Sequence, residues 1–263
     1  MRAKKHLGQN FLSSPSIIKK IVTAAKIQDT DTVLEIGPGK GSLTAELLKY
    51  AKKVIAVEKD EELIPRLAAQ FSEETHAEKL EVVHGDILDL LSDKNHKPQT
   101  TNYYKVVANI PYYITGQLLR LLLSRNGQPS SITLVVQKEV AQRIVAKDGK
   151  ESILSLSVKV YGEPKFIQKI PARYFNPQPK VDSAIIHISD ISKDNFTSKK
   201  QEQLFFTILK AGFAHKRKLL SKNLEEVLDK ESVQELFDHC NIPTNTRAED
   251  VPLEKWLEIL KSI

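Results

Sequence analysis

The feature that most constrains this chain is a rhythm: short apolar runs, each about as long as a buried strand, alternate with segments of helical period. "TVLEIG" precedes a helical stretch at 42–50, "KVIAVE" one at 60–71, "YKVVANI" one at 115–124 and "ITLVVQ" one at 138–146, with "LEVVHGD" as a further strand after the second helix. Near-continuous apolar strands need cover on both faces, and strands separated by helices pair in parallel. The pattern therefore predicts an α/β fold, a mostly parallel, doubly wound sheet of Rossmann-like type. "KFIQKI" and "SAIIHI" follow and read as an antiparallel edge, and the polar stretch "SDISKDNFTSKK" at 189–200 reads as a linker. Beyond it only helical period is present, at 202–213, 216–228, 232–240 and 253–260. Residues 1–194 are thus expected to form an α/β domain with an N-terminal arm, and residues 195–263 a small all-α domain.

Bulk properties narrow the setting. A hydrophobic fraction of 41% and a charged fraction of 27% suit a globular protein. No apolar run approaches the roughly 20 residues that span a bilayer. The first twenty residues are basic and lack the apolar core of a secretory signal, although being acid-free and serine-containing they leave a transit peptide open. The single cysteine, Cys240, rules out an internal disulfide and fits a reducing compartment, so a cytoplasmic setting is expected; a monomer is expected as well. The net charge of +6 is uneven: residues 195–263 hold 11 basic and 11 acidic side chains, whereas 138–180 hold nine basic and four acidic ones, and Arg2, Lys4 and Lys5 cluster at the start. That asymmetry suits a polyanionic partner and equally plain solubility.

"VLEIGPGKGSLT" follows a strand and opens a helix, the setting of a nucleotide fingerprint. Gly37, Gly39 and Gly41 give G-x-G-x-G, and Ser42 stands where the dinucleotide pattern needs its last glycine. A pyrophosphate needs the helix N-terminus opened for it, whereas a ligand without phosphates needs only close approach to the turn. Glu58, ending the second strand, can accept hydrogen bonds from both ribose hydroxyls. Asp86, at the end of the third, can accept from an adenine amino group, and Ile87 can pack on the ring. Three such features at successive strand ends describe an adenosine ligand without phosphates, and S-adenosylmethionine fits. No metal is expected.

"VVANIPYYIT" ends the fourth strand. Asn109 should face the same crevice, since ligands in doubly wound sheets bind beyond the strands' carboxyl ends. An exocyclic base amine is a poor nucleophile because its lone pair is conjugated into the ring. Two acceptors, the Asn109 side-chain carbonyl and the Ile110 main-chain carbonyl, would hold both N–H bonds and favour pyramidalisation. Pro111 would fix the turn, with φ locked near −65°. Tyr112 would offer a face to the base, worth roughly 1–3 kcal/mol. Tyr113 is expected in the core.

Together "EIGPGKGSLT", "VEKD", "GDIL" and "NIPYYIT" resemble the rRNA adenine N6,N6-dimethyltransferases, and "KKHLGQNFL", "FNPQPKVDSA", "FAHKRKLL" and "RAEDVPLEKWLEIL" extend the similarity over essentially the whole chain. The resemblance, nearest to the bacterial small-subunit type, implies methylation of two adjacent adenosines in the 3′-terminal hairpin loop of small-subunit rRNA, a step of ribosome biogenesis. It implies that Asn10, Leu12, Gly37, Gly39, Glu58, Lys59, Asp86, Ile87 and Asn109 line the cofactor pocket. It further implies that Phe175 stacks on a flipped-out adenine opposite Tyr112, and that Lys216, Arg217 and Lys218, on a helix, contact RNA. Departures are few: "ESILSLSV" lacks the tyrosine–glycine the family often has before its "LSV", and Lys40 is shared with the erythromycin-resistance methyltransferases of large-subunit rRNA. The alternatives are that large-subunit type, a non-catalytic RNA-binding assembly factor, and a DNA adenine methyltransferase, whose motif usually has proline where Ile110 stands.

Overall fold

The computed structural model describes residues 4, 8–93 and 104–263. Arg2 and Lys5 of the basic N-terminal group, and residues 5–7 of the "KKHLGQNFL" motif, lie outside the described residues. The strands, in chain order, are β1 (Phe11–Leu12), β2 (Thr32–Ile36), β3 (Lys53–Glu58), β4 (Leu80–His84), β5 (Tyr104–Asn109), β6 (Ser131–Gln137), β7 (Glu163–Ile170), β8 (Phe175–Asn176) and β9 (Ser183–Ser189). The main sheet has the order β4-β3-β2-β5-β6-β9-β7, while β1 and β8 form a separate antiparallel pair. β2 to β6 pair in parallel, and β9 runs antiparallel to both β6 and β7. This is the doubly wound sheet with an antiparallel edge that the alternation of runs predicted.

The register positions the site. Ile36 of β2 stands opposite Val57 of β3 and Ala108 of β5. The next residue on each strand, Gly37, Glu58 and Asn109, therefore emerges at one level. The chain turns outward in opposite directions from β2 and β5, which makes their shared carboxyl end the switch point where such sheets open a crevice. β2 is buried along its whole length, as its run of apolar residues requires, and its two polar members, Thr32 and Glu35, are buried with it.

The helix Pro15–Ala25 shows how the sheet is covered. Pro15 suits the first helical turn, where no intrahelical N–H is needed. Ile17, Ile18, Ile21, Val22 and Ala25 recur at helical spacing and bury one stripe against β5 and β6. Lys26, at φ 49°, ends the helix in the left-handed conformation. Burial of such aliphatic side chains stabilises by about 1.5–3 kcal/mol each before chain entropy is counted.

The chain divides into two compact units. The first comprises the described residues up to Ala141 together with Glu163–Ile191; the second comprises Gln142–Gly162 and Ser192–Ile263. The boundary expected at 194/195 is thus amended: the excursion Gln142–Gly162 joins the helical unit. Hydrogen bonds explain it. Glu151 N–H donates to the Glu249 carbonyl at 2.8 Å, Ser192 N–H to the Tyr161 carbonyl at 2.8 Å, and Asn195 Nδ2 to the Val160 carbonyl at 2.7 Å. Tyr161 also donates its hydroxyl to the Glu202 carboxylate. Within the helical unit, Trp256 is buried, stacks on Phe213 at 5.8 Å and donates from Nε1 to the Val251 carbonyl. A Cβ on Gly212 would lie 2.4 Å from the Trp256 ring, so only glycine lets the helix Lys199–Gly212 end against it.

Candidate active site

Gly37 follows β2 at φ +67° and its N–H donates to the Val57 carbonyl, which ties the turn to β3. A Cβ added there would meet nothing within 4 Å, so the backbone faces open space. Gly39, at φ +61°, differs: a Cβ on it would come within 2.9 Å of the Phe11 ring. One glycine thus leaves its backbone open to the cavity, and the other admits the N-terminal arm. Lys40 caps this contact with its ammonium 5.0 Å from the Phe11 ring centroid.

Glu58 is buried, and both of its oxygens accept main-chain hydrogen bonds, from Gly39 N–H at 3.0 Å and Asp60 N–H at 2.8 Å. Burial raises its pKa, and those N–H donors hold the rise back. Each oxygen keeps a lone pair for a further donor. Asp86 caps the helix Ile87–Ser92 by accepting from Leu88 N–H at 2.9 Å, and its other oxygen meets Lys59 Nζ at 2.7 Å. Burial pushes its carboxyl up, but Lys59 and the Leu88 N–H outweigh it and hold the pKa below the ordinary range.

Three residues that the sequence did not single out complete this side. Asp60 is buried and binds the arm twice, through Lys4 Nζ at 2.7 Å and Gln9 Nε2 at 3.0 Å. Gln9 in turn accepts the Lys4 N–H. Glu35, the third, lies 1% exposed along the cavity wall with neither carboxyl oxygen hydrogen-bonded. Burial pushes its pKa up to about 8 and the charge of Glu58 adds to the rise, while the nearby Thr44 hydroxyl opposes it without closing a hydrogen bond. Within "TVLEIG" it is a polar break in an apolar strand; that break was the available signal, since a buried carboxyl without a partner is costly and marks a functional candidate.

At the end of β5, Asn109 donates from Nδ2 to the main-chain carbonyl of Asn10 at 3.0 Å. Its Oδ1 accepts no hydrogen bond from the described residues. Pro111 sits at φ −58° and starts a 3-10 turn, Tyr112–Ile114, which the Thr115 hydroxyl closes by donating to the Tyr112 carbonyl at 2.9 Å. The Tyr112 hydroxyl lies 2.6 Å from Ser183 Oγ. Ser183 is the first residue of β9, opposite Gln137, and reaches the Tyr112 hydroxyl because an antiparallel strand begins where its parallel neighbours end.

One cavity gathers Asn10, Leu12, Gly37, Gly39, Glu58, Lys59, Asp86, Ile87, Asn109, Ile110, Pro111 and Tyr112. Phe175 is not among its lining. Phe175 is 4% exposed, in the core with Leu12, its register partner in the β1–β8 pair, so no open ring face is offered to a base. Lys216, Arg217 and Lys218 belong to the helical unit and occupy an exposed turn, not a helix. Asn223 explains the turn: its Nδ2 donates to the carbonyls of Gly212 and His215, which holds the chain between two helices. Tyr113, expected in the core, is 66% exposed at the cavity.

Residues 1–263 match the family described as ribosomal RNA adenine dimethylase. The ribosomal RNA small subunit methyltransferase A of Fusobacterium nucleatum is 40% identical over 261 residues, covering 98% of this chain and 96% of that one. Among solved structures, a dimethyladenosine transferase from Plasmodium falciparum is similar with a TM-score of 0.80 at 28% identity, covering 95% of each chain. The 23S rRNA methyltransferase ErmE is similar with a TM-score of 0.76 at 26% identity, covering 96% of this chain and 99% of that one.

Proposed function

The chain belongs to the ribosomal RNA adenine dimethylase family, and we propose that it transfers methyl groups from S-adenosylmethionine to N6 of two adjacent adenosines in the 3′-terminal hairpin loop of 16S rRNA, dimethylating each. It would act as a cytoplasmic monomer on a small-subunit assembly intermediate. The small-subunit choice follows the curated relatives, which carry that name at 40% identity, against 26% for the large-subunit enzyme ErmE.

The residues present fit the cofactor. The open backbone at Gly37 is a cradle that any side chain would fill, and the unpartnered Glu35 carboxyl beside it suits the cationic methionine portion. Glu58 retains lone pairs that the ribose hydroxyls would meet, and Asp86, Ile87, Asn10 and Leu12 line the same cavity, where the first two would take the adenine edge and face and the last two would close the arm side. Lys59 is better read as the partner that keeps Asp86 ionised than as a ligand contact. When bound, the cofactor supplies an electrophilic methyl on a sulfonium and remains as S-adenosylhomocysteine.

The observation that carries the chemistry is the amide of Asn109, whose donor end is held by the Asn10 carbonyl and whose Oδ1 is left for the substrate. With the Ile110 main-chain carbonyl it would hold both N6–H bonds of a flipped adenine and orient the nitrogen lone pair toward the methyl. Tyr112, anchored through Ser183, would support the base. No strong general base is required first, because the methylated nitrogen becomes acidic and releases its proton afterwards. Catalysis then rests on alignment and fixed dipoles. In the helical unit, Lys216, Arg217 and Lys218 are proposed to meet RNA phosphates.

The test is incubation of the purified protein with methyl-labelled cofactor and, separately, unmodified 30S particles, 50S particles and DNA. Two methyls on each of two neighbouring adenosines of the 30S rRNA are expected. Label only in 50S particles or DNA would overturn the substrate assignment.

A further inference from the structure

Tyr113 is the most exposed of the large apolar side chains among the described residues, at 66%, yet it lines the same cavity as Asn109 and Tyr112. Its backbone is held by its neighbours. Pro111 precedes it in a fixed conformation, Ile114 N–H closes back on the Pro111 carbonyl at 3.3 Å, and Thr115 ties down the Tyr112 carbonyl. In a 3-10 turn successive side chains diverge by about 120°. Tyr112 is drawn inward by Ser183, so Tyr113 cannot share the base that Tyr112 supports; it addresses the mouth instead.

The ring also has a backing. Gly8 packs beside it at φ +63°, and a Cβ there would stand 3.3 Å from Tyr113 Cε1 and 3.3 Å from Pro111 Cβ. A side chain at residue 8 would crowd the phenol, whereas glycine lets the arm support it. An aromatic side chain 66% exposed at the cavity mouth, with the arm's main chain beside it at Gly8, is an unmet stacking surface.

From this geometry we infer that Tyr113 forms a subsite for the nucleobase adjacent to the target adenosine, stacking on it while the target is held against Tyr112. The inference rests on the reading of the chain as an rRNA adenine dimethyltransferase. The ligand class is a purine or pyrimidine base of unpaired RNA, recognised by its π-face and so with little sequence preference. The two consecutive tyrosines would then receive two consecutive nucleotides, one flipped in and one left at the rim.

The experiment combines a protein and an RNA deletion. Binding of the rRNA hairpin is measured by fluorescence anisotropy in S-adenosylhomocysteine, using intact RNA and RNAs made abasic on either side of the target adenosine. Wild type should lose about tenfold in affinity on removal of one neighbouring base, within the range for base–aromatic stacking. Tyr113→Ala should show a similar loss on intact RNA and no further loss on the abasic one, and Tyr113→Phe should behave as wild type. Additive losses, wild-type binding by Tyr113→Ala, or a change confined to cofactor affinity would each overturn the inference. Methyl transfer by wild type to 30S particles is measured in parallel. Its absence takes down the functional reading and this subsite with it, whereas transfer with additive losses takes down the subsite alone.

Discussion

The crevice has two rims that treat their polar groups differently. At the ends of β2 and β3, Glu58 has both oxygens engaged by main-chain N–H groups and Glu35 has neither engaged. At the end of β5, Asn109 is half engaged, its donor held and its acceptor open. A carboxylate already held by two N–H groups has its geometry settled before any ligand arrives, and offers its remaining lone pairs from a fixed position. An unengaged buried carboxyl stores unfavourable desolvation that a cationic ligand can relieve. A half-engaged amide is oriented and available at once, which is what catalysis needs and mere binding does not.

The sharpest way to break this comparison is Asn109→Ala. The expected result is a fall of about 10²–10³-fold in kcat, the scale of losing one preorganised polar group in a reacting site. Cofactor affinity, measured by calorimetry, should stay within several-fold. Undiminished turnover would remove the distinction between the rims. Next in size is Glu35→Gln, expected to weaken cofactor binding about tenfold, as loss of one charged hydrogen bond does, with kcat at saturation largely kept. The pH signature is more telling than the size. Because the folded pKa is raised to about 8 from 4.5, the folded protein carries a proton that the unfolded chain lacks between those values. This group's contribution to stability therefore falls as pH rises through that window and levels off above it. Glu35→Gln should flatten that part of the profile in thermal unfolding. At pH 7 the wild type should also release a proton on cofactor binding that the variant does not, seen as buffer-dependent binding enthalpy. Smallest is Ser183→Ala, which frees the Tyr112 hydroxyl. A kcat loss of a few-fold to about tenfold is expected from one hydrogen bond worth 0.5–1.5 kcal/mol. Tyr112→Phe should reproduce it, and the two together should cost no more than either alone.

Much of this was readable from the chain. Apolar runs such as "KVIAVE" and "YKVVANI" became parallel strands because burial on both faces leaves a local signal in every strand. The register then carried Gly37, Glu58 and Asn109 to one level without further information. What failed depended on contacts distant in sequence. Phe175 looked available from its proline-rich setting, but pairing with Leu12 encloses its ring. Gln142–Gly162 has helical period that fits either unit, and only its bonds to Glu249, Ser192 and Asn195 assign it. The turn at Lys216, Arg217 and Lys218 depends on Asn223, whose buried amide no periodicity reveals. Tyr112 and Tyr113 are chemically identical neighbours, and which one turns inward was decided by Ser183, 71 residues away.

An asparagine amide is nearly symmetric in outline: a half turn exchanges acceptor for donor with almost no change of shape. A strand end alone has no means of telling the two states apart, although one would meet an incoming amine with an acceptor and the other with a second set of N–H groups. The Asn10 carbonyl breaks that symmetry, because only one of the two orientations gives it a donor. The arm thus holds a piece of information, one choice out of two, that the strand bearing the amide cannot hold for itself.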